Sequence, residues 1–389
     1  MIIARAKEGE TIADIVAEYG VSAEYVSGIM GCGRRELCPG REISIHIPSR
    51  SINARRGDTV ESIAHRFERS GGEILALNPE IRRAGRVYPS EYVVIGMAEP
   101  KIGVAAVNGR VYRGVSAARL AAALPYLSTL TVMAARAVGG RIRIDEGMIR
   151  LSDMARVAGV CPFLGIFIER IDTGENDSLC RGAIMAAQSH GMAGISISGI
   201  KGSGDEVCEL VLKLRRMAME CGILVSVEGD LCRESRYSEY ADFAVMTLDR
   251  DISDADVSFD EFEGARILSA VGGREVSNML LDLPAFGISG DGFIGREELF
   301  ASTGTRGTVI EHNEKAMTVG IKRGGRVTVT ESLANVMERI RLAVEGGFLG
   351  FSVDLLRVPF YELFALYTLT SRPMNLPVGE NRINCQGKI

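Results

Sequence analysis

The sequence has no tryptophan and only four histidines among its 389 residues. Its eight cysteines are scattered without a C-x-x-C pair, and no histidine is spaced for metal binding with a second ligand. These absences argue against a zinc site and predict buried or free thiols, with no bound metal or cofactor. Cys32 and Cys38 lie close enough in sequence to be bridged, so their state stays open.

Long apolar runs and basic tracts are also absent. No stretch approaches the roughly 20 apolar residues of a membrane span, and the N-terminus lacks the apolar core of a signal peptide. Acidic and basic residues are interspersed, with a net charge of −5, so nothing predicts nucleic-acid binding. We expect a protein made in the cytosol, with no membrane span, whose length suits two or three domains.

The first hundred residues contain an internal repeat. Residues 6–20 and 54–68 align at an offset of 48, with A-K-E-G-E-T-I matching A-R-R-G-D-T-V. In each copy a short strand precedes a glycine turn, and Thr11 or Thr59 follows as a helix N-cap. A second short helix and a closing strand complete each copy. A repeat of this length indicates tandem small modules.

This order resembles LysM, a strand–helix–helix–strand module that binds N-acetylglucosamine (GlcNAc) polymers. The likeness covers residues 1–49 and 50–97, and it depends on the [EDG]-T-[IV] start, the Asn78-Pro79 pair and the proline turn before each closing strand. Met30-Gly31 stands where the first copy usually offers Asn, and Ser90 replaces the usual Gly in the second. By this resemblance the candidate glycan contacts are Gly9, Glu10, Thr11, Ile12, Met30, Gly57, Asp58, Thr59, Val60 and Asn78.

From about residue 100 the pattern changes to short apolar runs that alternate with amphipathic stretches. Helical stretches such as 205–219 and 331–344 separate the runs. The eight predicted strands are 102–107, 130–134, 163–168, 194–198, 223–227, 243–247, 279–283 and 349–353. This alternation predicts an α/β fold, a closed (β/α)8 TIM barrel. An open doubly wound sheet is the alternative, but no G-x-G-x-x-G follows the first strand. Segment 286–328 reads as a small α+β insertion.

The strand phrases 127–132, 241–249 and 279–287 resemble those of family 18 glycoside hydrolases, over 101 to about 370. With two leading LysM-like modules, the chain resembles the spore cortex-lytic N-acetylglucosaminidases, and the resemblance assigns 101–389 to the barrel domain. Such enzymes use substrate-assisted chemistry, in which the acetamide of the sugar attacks the anomeric carbon. By resemblance, a glutamate at the end of strand four protonates the leaving oxygen, and an aspartate two residues earlier orients the acetamide.

The family's D-x-x-D-x-D-x-E motif is degenerate in this sequence. Its four acidic positions are occupied by Ala193, Ser196, Ser198 and Ile200. In the strand-six motif Met-x-Tyr-Asp, Met246 remains but Leu248 replaces the tyrosine. The strand-eight tryptophan that floors the sugar site is missing, and 351–354 reads F-S-V-D. No catalytic residue is therefore expected at the family positions.

Carboxylates remain at other predicted strand ends, where barrel enzymes keep catalytic groups. Two of them could pair across the barrel mouth, or each could cap a following helix or pair with a nearby arginine. These fallback acids are Glu169, Glu228, Asp249, Asp282 and Asp354. The glycine-rich turn K-G-S-G at 201–204 could cradle an anion at a helix N-terminus.

Three functional hypotheses follow. The first is a non-catalytic protein of the bacterial spore envelope that binds peptidoglycan, chitin or another GlcNAc polymer. The second is an active N-acetylglucosaminidase on cortex peptidoglycan with relocated carboxylates. The third is a structural protein of the spore coat that assembles with itself or with other envelope proteins, for which the tail 371–389 is the only hint of partner contact.

Overall fold

The structure is a computed structural model that describes residues 1–32, 37–99, 101–171, 173–200, 204–231, 233–234, 236–248, 263–290, 292–304 and 307–372. Three parts follow one another along the chain: a first N-terminal unit (residues 1–46), a second N-terminal unit (residues 48–97) and a large barrel domain. In the part of the chain that the structure describes, no helix is both long and apolar enough to span a membrane.

The first unit has the predicted order of strand, two helices and strand. Its antiparallel strands place Ile2 opposite Ile45. Thr11 is the N-cap of the first helix and forms a capping box with Asp14, as the sequence predicts. The elements are β1 (Ile2–Arg5), α1 (Ile12–Val16), a 3-10 turn (Ala17–Tyr19), α2 (Ala23–Met30) and β2 (Glu42–Ile45).

The second unit repeats this plan and adds a third short helix that the pattern did not predict. Thr59 caps the first helix with Ser62 as its box partner. Gly57 and Ser90 adopt positive φ angles of 89° and 67°, which the two tight turns beside the strands require. The elements are β3 (Pro48–Asn53), α3 (Val60–Arg66), α4 (Gly71–Leu77), α5 (Pro79–Ala84) and β4 (Tyr92–Met97).

The barrel domain alternates strands and helices up to its seventh barrel strand. A hairpin strand, β8, extends β7 and was not predicted. The strands are β5 (Gly103–Val104), β6 (Ala106–Val111), β7 (Thr129–Val138), β8 (Arg141–Ile144), β9 (Cys161–Ile168), β10 (Gly194–Ser198), β11 (Leu224–Asp230), β12 (Phe243–Thr247) and β13 (Met279–Leu283). The helices are α6 (Ala117–Ala123), α7 (Glu146–Ile149), α8 (Leu151–Val157), α9 (Asn176–Ser189), α10 (Gly204–Met219), α11 (Tyr237–Tyr240) and α12 (Glu263–Val271).

An insertion separates the seventh barrel strand from the eighth, as expected, and forms its own five-stranded antiparallel sheet. Its elements are β14 (Phe286–Ser289), β15 (Gly292–Gly295), α13 (Arg296–Ala301), β16 (Val309–Asn313), β17 (Thr318–Arg323) and β18 (Arg326–Glu331). The chain then continues through α14 (Leu333–Glu345), β19 (Gly350–Asp354), α15 (Phe360–Leu369) and β20 (Thr370–Ser371). Arg296, buried in α13, forms an ion pair with Glu362 of α15 and so fastens the insertion to the barrel.

Eight parallel strands close into a barrel, in the order β6, β7, β9, β10, β11, β12, β13 and β19. Closure brings Gly350 of β19 opposite Ala106 of β6. A Cβ on Gly350 would lie 1.9 Å from the Ala106 carbonyl oxygen, so this contact requires glycine. The prediction of a closed (β/α)8 barrel is confirmed.

The barrel interior is layered. At the amino end of the strands, Phe163 and Phe243 pack edge to face with ring centroids 5.4 Å apart. Nearer the carboxyl ends, Asn108 accepts hydrogen bonds from Thr129 (2.9 Å) and Thr131 (3.0 Å) and donates to Ser352 (3.2 Å). Because side chains alternate along a strand, the apolar residues between these polar ones face the surrounding helices.

The N-terminal units are packed onto the barrel. His46 lies against Phe364 of α15, with ring centroids 4.9 Å apart, and its Nδ1 is 3.1 Å from the Thr368 hydroxyl. Tyr126 beside α6 donates a hydrogen bond to the Ala76 carbonyl of the second unit (2.9 Å). Buried residues of the first unit and of the barrel form one continuous apolar cluster. The units are therefore fixed to the barrel and do not hang from a free linker.

The cysteines follow the sequence prediction in part. Cys32 and Cys38 are free thiols, so no disulfide joins them. Cys161, at the start of β9, is disulfide-bonded. The prediction of thiols is therefore wrong at that position.

Candidate functional site

The end of the fourth barrel strand carries two hydroxyl groups, at positions that the sequence analysis compared with carboxylates of the motif. Ser196 and Ser198 face the barrel interior and are each 6% exposed. Gly199, with a φ of 72°, ends the strand, and the half-buried Ile200 packs against the apolar core. Ala193 precedes the strand and is also half-buried. None of these four side chains can donate a proton as a carboxylic acid does.

Arg110 lies across the barrel mouth, which is the end where the barrel strands have their carboxyl termini. Its Nη1 donates to Glu228 Oε1 (2.9 Å) and its Nη2 to Asp282 Oδ1 (2.5 Å). The three residues come from β6, β11 and β13, so one guanidinium connects opposite sides of the barrel. Two fallback acids thus converge, as one hypothesis requires, but they converge on an arginine that the sequence reasoning missed.

This cluster is buried enough to change its protonation. Burial, together with the negative charges of Glu228 and Asp354, raises the pKa of Asp282 to about 7, although Arg110 lowers it. Burial also raises the pKa of the nearby Tyr112 to about 12. The mouth therefore holds a carboxyl group that titrates near neutrality beside a fixed positive charge.

The remaining fallback acids lie apart from this cluster or serve a local turn. Asp354 is buried, and it accepts a hydrogen bond from the Leu356 backbone N–H (2.9 Å) and lies 3.5 Å from Arg357. Glu169 is exposed beyond the end of β9. Asp249 and residues 201–203 of the glycine-rich turn lie outside the described residues.

On the sixth and eighth strands, Met246 and Phe351 face away from the barrel interior. Met246 is fully buried in the outer apolar layer, while Val245 belongs to the interior cluster. Met246 therefore faces the surrounding helices and not the barrel interior. On the eighth strand Phe351 also faces outward, so it supplies no floor to the mouth. The aromatic ring near strand four is Phe167, which a Cβ on Gly199 would overlap at 2.1 Å.

In the first unit the candidate turn is partly exposed. Gly9 is exposed with a φ of 78°, and Glu10 accepts a hydrogen bond from the Lys7 backbone (2.8 Å). Ile12 is 2% exposed and belongs to the core, which leaves only its backbone near the turn. Met30 is buried too, and its sulfur accepts a hydrogen bond from the Ser44 N–H (3.4 Å).

The loop before β2 of the first unit is covered by the barrel insertion. The Gly40 carbonyl lies 2.6 Å from His312 Nε2, and a Cβ on Gly40 would be 3.0 Å from the Ile310 carbonyl oxygen. Cys38 donates from its sulfur to the Thr308 carbonyl (3.5 Å). The loop before β2 is thus occupied by β16 and the residue that precedes it.

The corresponding turn of the second unit is open to solvent. Gly57 and Thr59 are exposed and Val60 is half-buried, as is Asp58, which pairs with Arg66. The loop at 89–90 is exposed as well.

Asn78 lies in the core of the second unit. It is 2% exposed, and its amide donates to the Ile74 and Val94 carbonyls (2.7 and 2.8 Å) and accepts from the Val94 N–H (2.8 Å). These bonds give it a structural role and leave no polar atom of its amide directed to solvent. Within the described residues, no three His, Cys, Asp or Glu side chains gather as metal ligands.

Comparison with solved structures agrees with the geometry. The Bacillus cereus spore cortex-lytic enzyme SleL matches with a TM-score of 0.69 and 11% identity, over 96% of this chain and 99% of that chain. SleL of Bacillus megaterium QM B1551 matches with 0.68 and 12%, over 96% and 98%. A GH18 chitinase from Cycas revoluta in complex with (GlcNAc)3 matches with 0.56 and 12%, over 68% and 99%.

The chain contains a GH18-like barrel. At sequence identities this low the likeness concerns the fold alone, and the two SleL structures share this fold along almost the whole chain. No known family profile matches the sequence, and no curated protein matches it.

Proposed function

We propose that this protein binds a GlcNAc-containing wall polymer through LysM-type N-terminal units, and that its GH18-like barrel does not hydrolyse the bound chain. The proposal rests on the side chains found at the barrel mouth. Strand four presents Ser196, Ser198 and Ile200 in place of acids, and Arg110 forms ion pairs with the carboxylates of Glu228 and Asp282. The solved structures support a GlcNAc polymer as ligand, because one of them was determined with (GlcNAc)3 bound.

Loss of hydrolysis follows from the chemistry of the reaction. Substrate-assisted cleavage needs a proton donor on the leaving oxygen and a negative charge beside the acetamide. A serine hydroxyl supplies neither, and general acid–base catalysis is typically worth about 10²- to 10⁴-fold in rate. Glu228 and Asp282 each direct an oxygen at the Arg110 guanidinium, so neither is free to approach a glycosidic oxygen while those bonds persist.

The second unit is the better candidate for glycan binding. Its turn at Gly57, Asp58, Thr59 and Val60 and its facing loop are exposed, whereas the loop of the first unit contacts the insertion. In this proposal Met30 and Asn78 shape the units from within the core and make no direct contact with sugar.

We place the protein at the spore envelope, in coat or cortex. This proposal is supported by the likeness along almost the whole chain to two SleL structures, which are described as spore cortex-lytic enzymes.

One experiment tests both halves of the proposal. The pure protein is incubated with spore cortex peptidoglycan and with chitin oligomers, soluble products are analysed by mass spectrometry, and sedimentation with the insoluble polymer is measured. We expect binding without new reducing ends. GlcNAc-terminated fragments above the level of an E228Q/D282N control would contradict the non-catalytic half.

Two matched substitutions assign the binding to a unit. Gly9 and Gly57 both have positive φ, and a Cβ at either position meets no atom within 4 Å. Gly9→Gln and Gly57→Gln therefore introduce similar backbone strain and similar bulk at equivalent turns. We expect Gly57→Gln to abolish sedimentation and Gly9→Gln to leave most of it. The reverse result would assign binding to the first unit.

A relocated glycosidase is the second candidate, and one observation favours it. Asp282 has a pKa near 7, the range a general acid needs at neutral pH, and Glu228 shares its guanidinium. If this candidate holds, Asp282→Asn and Glu228→Gln each remove polymer cleavage and leave sedimentation unchanged.

A further inference from the structure

A cavity of about 510 Å³ lies where both N-terminal units meet the barrel. We call it the junction cavity. Its walls come from the end of α2, the start of α5, helix α6, helix α13 and the start of α15. Small-molecule sites commonly lie at domain interfaces and have volumes of roughly 300 to 1,000 Å³, so its size and place are those of a binding site.

The junction cavity has a surplus of positive charge. Four arginines line it, Arg41, Arg82, Arg83 and Arg119, against a single acid, Glu297. Arg119 lies 3.4 Å from Glu297, and Arg83 forms an ion pair with Glu80 outside the cavity. Arg41 and Arg82 form no ion pair with any acid among the residues that the structure describes. Within the described residues, neither guanidinium charge is therefore balanced by a carboxylate, although the Arg82 guanidinium lies 5.1 Å from the centroid of the Tyr126 ring.

Neutral oxygens accept hydrogen bonds from both of these arginines. Arg41 Nη1 donates to the Phe300 carbonyl (3.3 Å) and to the Thr303 hydroxyl (3.0 Å). Arg82 Nη2 donates to the Ala122 carbonyl (2.7 Å). The Nη1 atom of Arg82 is buried and has no hydrogen-bond acceptor in the described part of the chain. A buried guanidinium donor without an acceptor is costly to hold in the folded state.

The rest of the wall is small and apolar. Ala118 and Ala122 of α6 form one side, and Phe360 and Pro359 form another. Alanine side chains leave room beside the helix, and an aromatic ring offers a face on which a sugar ring or an aliphatic group can pack. The cavity therefore suits a ligand with an uncharged body and an anionic group.

We propose that the junction cavity is a second binding site, which takes a carboxylate-bearing fragment of a wall glycan. Guanidinium groups pair with carboxylates through two parallel hydrogen bonds. GlcNAc polymers differ in this respect, because chitin is uncharged whereas peptidoglycan carries carboxylates on its peptides and on lactyl groups that bear no peptide. The identity of the ligand depends on the proposed function; the position of the site does not.

Adjacent alanines on α6 provide a matched test. Ala117 and Ala118 are both exposed, but only Ala118 lines the cavity. The full-length protein, Ala118→Leu and Ala117→Leu are titrated calorimetrically with a GlcNAc–N-acetylmuramoyl tripeptide and with chitotetraose. We expect the muropeptide to bind the wild type on the order of tenfold or more tightly than chitotetraose does. Ala118→Leu should lose that difference and Ala117→Leu should keep it.

A charge series completes the test. Arg82→Gln should weaken muropeptide binding on the order of tenfold, and Arg82→Lys should restore part of it, with thermal melting as the check on folding. Equal muropeptide affinity in the two leucine variants, or no muropeptide binding by the wild type, would overturn this inference. Such a result leaves the proposed function intact if the wild type still sediments with the insoluble polymer. Failure to sediment with either polymer contradicts the proposed function alone.

Discussion

Arg110 shows how a single side chain determines the chemistry of the barrel mouth. Its side chain is 8% exposed, and its positive charge offsets the negative charges of the Glu228 and Asp282 carboxylates. Without Arg110 these two carboxylates would face each other in a confined space. Removing one member of a buried charge group leaves the others uncompensated. The mouth is therefore sensitive to substitution at this position even where no reaction occurs.

We predict that Arg110→Met lowers the free energy of unfolding by about 3 to 5 kcal/mol. The methionine keeps much of the side-chain length and removes only the charge and the hydrogen bonds. Urea unfolding followed by circular dichroism measures the change. Arg357→Met is the control, since Arg357 is 53% exposed and its pair with Asp354 is worth less than about 1 kcal/mol. Equal losses in both variants would contradict the prediction.

The raised pKa of Asp282 has a consequence for stability. In the unfolded chain this carboxyl has an ordinary pKa of 3.8, and in the folded protein its pKa is about 7. Between these values the folded state retains a proton that the unfolded state has released, so its contribution to stability falls as pH rises through that window. Burial likewise raises the pKa of Glu362 to about 7, with the same sign.

We therefore predict that the free energy of unfolding of Asp282→Asn decreases less between about pH 4.5 and 7 than that of the wild type, because one of the two titrating groups is gone. Urea midpoints at several pH values provide the measurement. Glu298→Gln removes an exposed carboxylate and should follow the wild-type curve. A parallel curve for Asp282→Asn would refute the assignment.

Sequence reasoning found Glu228 and Asp282 as separate strand-end acids and Ser196 and Ser198 at positions of missing acids, but it did not find Arg110. The predicted first strand, 102–107, stopped before Asn108 because the next residues are polar. In the structure β6 continues to Val111, since Asn108 and Arg110 face a polar interior while Val107 and Val111 face the helices. The alternation of inward polar and outward apolar residues was present in the sequence, but it began at Asn108, where the apolar run ended.

At the scale of elements, strand pairing is controlled by close backbone contacts that only glycine allows. Closure of the barrel between β6 and β19 is the clearest case. We predict that Gly350→Ala destabilises the protein by about 3 kcal/mol or more, because its Cβ would overlap the Ala106 backbone. Thermal unfolding measures the loss. Gly72→Ala on α4 has open space and should raise stability by about 0.5 kcal/mol.

The elements that sequence reasoning located best are those with uniform burial. Predicted strands 194–198, 243–247 and 279–283 coincide with β10, β12 and β13, because each is a short apolar run between polar turns. The hairpin strand β8 was missed since R-I-R-I alternates over four residues only, with half its side chains exposed. The sheet of the insertion was expected, but its contact with Gly40 depends on residues about 270 positions apart.

At the scale of the whole molecule, the two N-terminal units and the barrel form one packed body. Phe364 of α15 contacts Tyr25 and His46 of the first unit and Tyr126 of the barrel. Repetition in the sequence indicated separate modules, and that reading of the local fold was correct in its order of elements. Nothing in the first repeat revealed that Tyr25 would be buried against α15, because Phe364 lies more than 300 residues away.

We predict one cooperative unfolding transition for units and barrel together. Phe364→Ala should shift that whole transition, with a loss of about 3 to 5 kcal/mol. Hydrogen exchange followed by mass spectrometry measures protection in α2 and in α14 of the same molecule. Phe293→Ala removes a ring that is 48% exposed and should cost about 1 kcal/mol or less. Faster exchange of α2 alone in the wild type would contradict a single body.

The burial of His46 and Tyr25 against α15 also limits how this chain can change by recombination. A free-standing wall-binding module can be copied, multiplied or moved to another protein, since its surface is complete in itself. The surface of the first unit is not complete without the barrel. Excised from this chain, it would present the Tyr25 ring and the His46 imidazole to water, together with the edge that β16 now covers. Its sequence is free to vary only in step with the barrel that completes it.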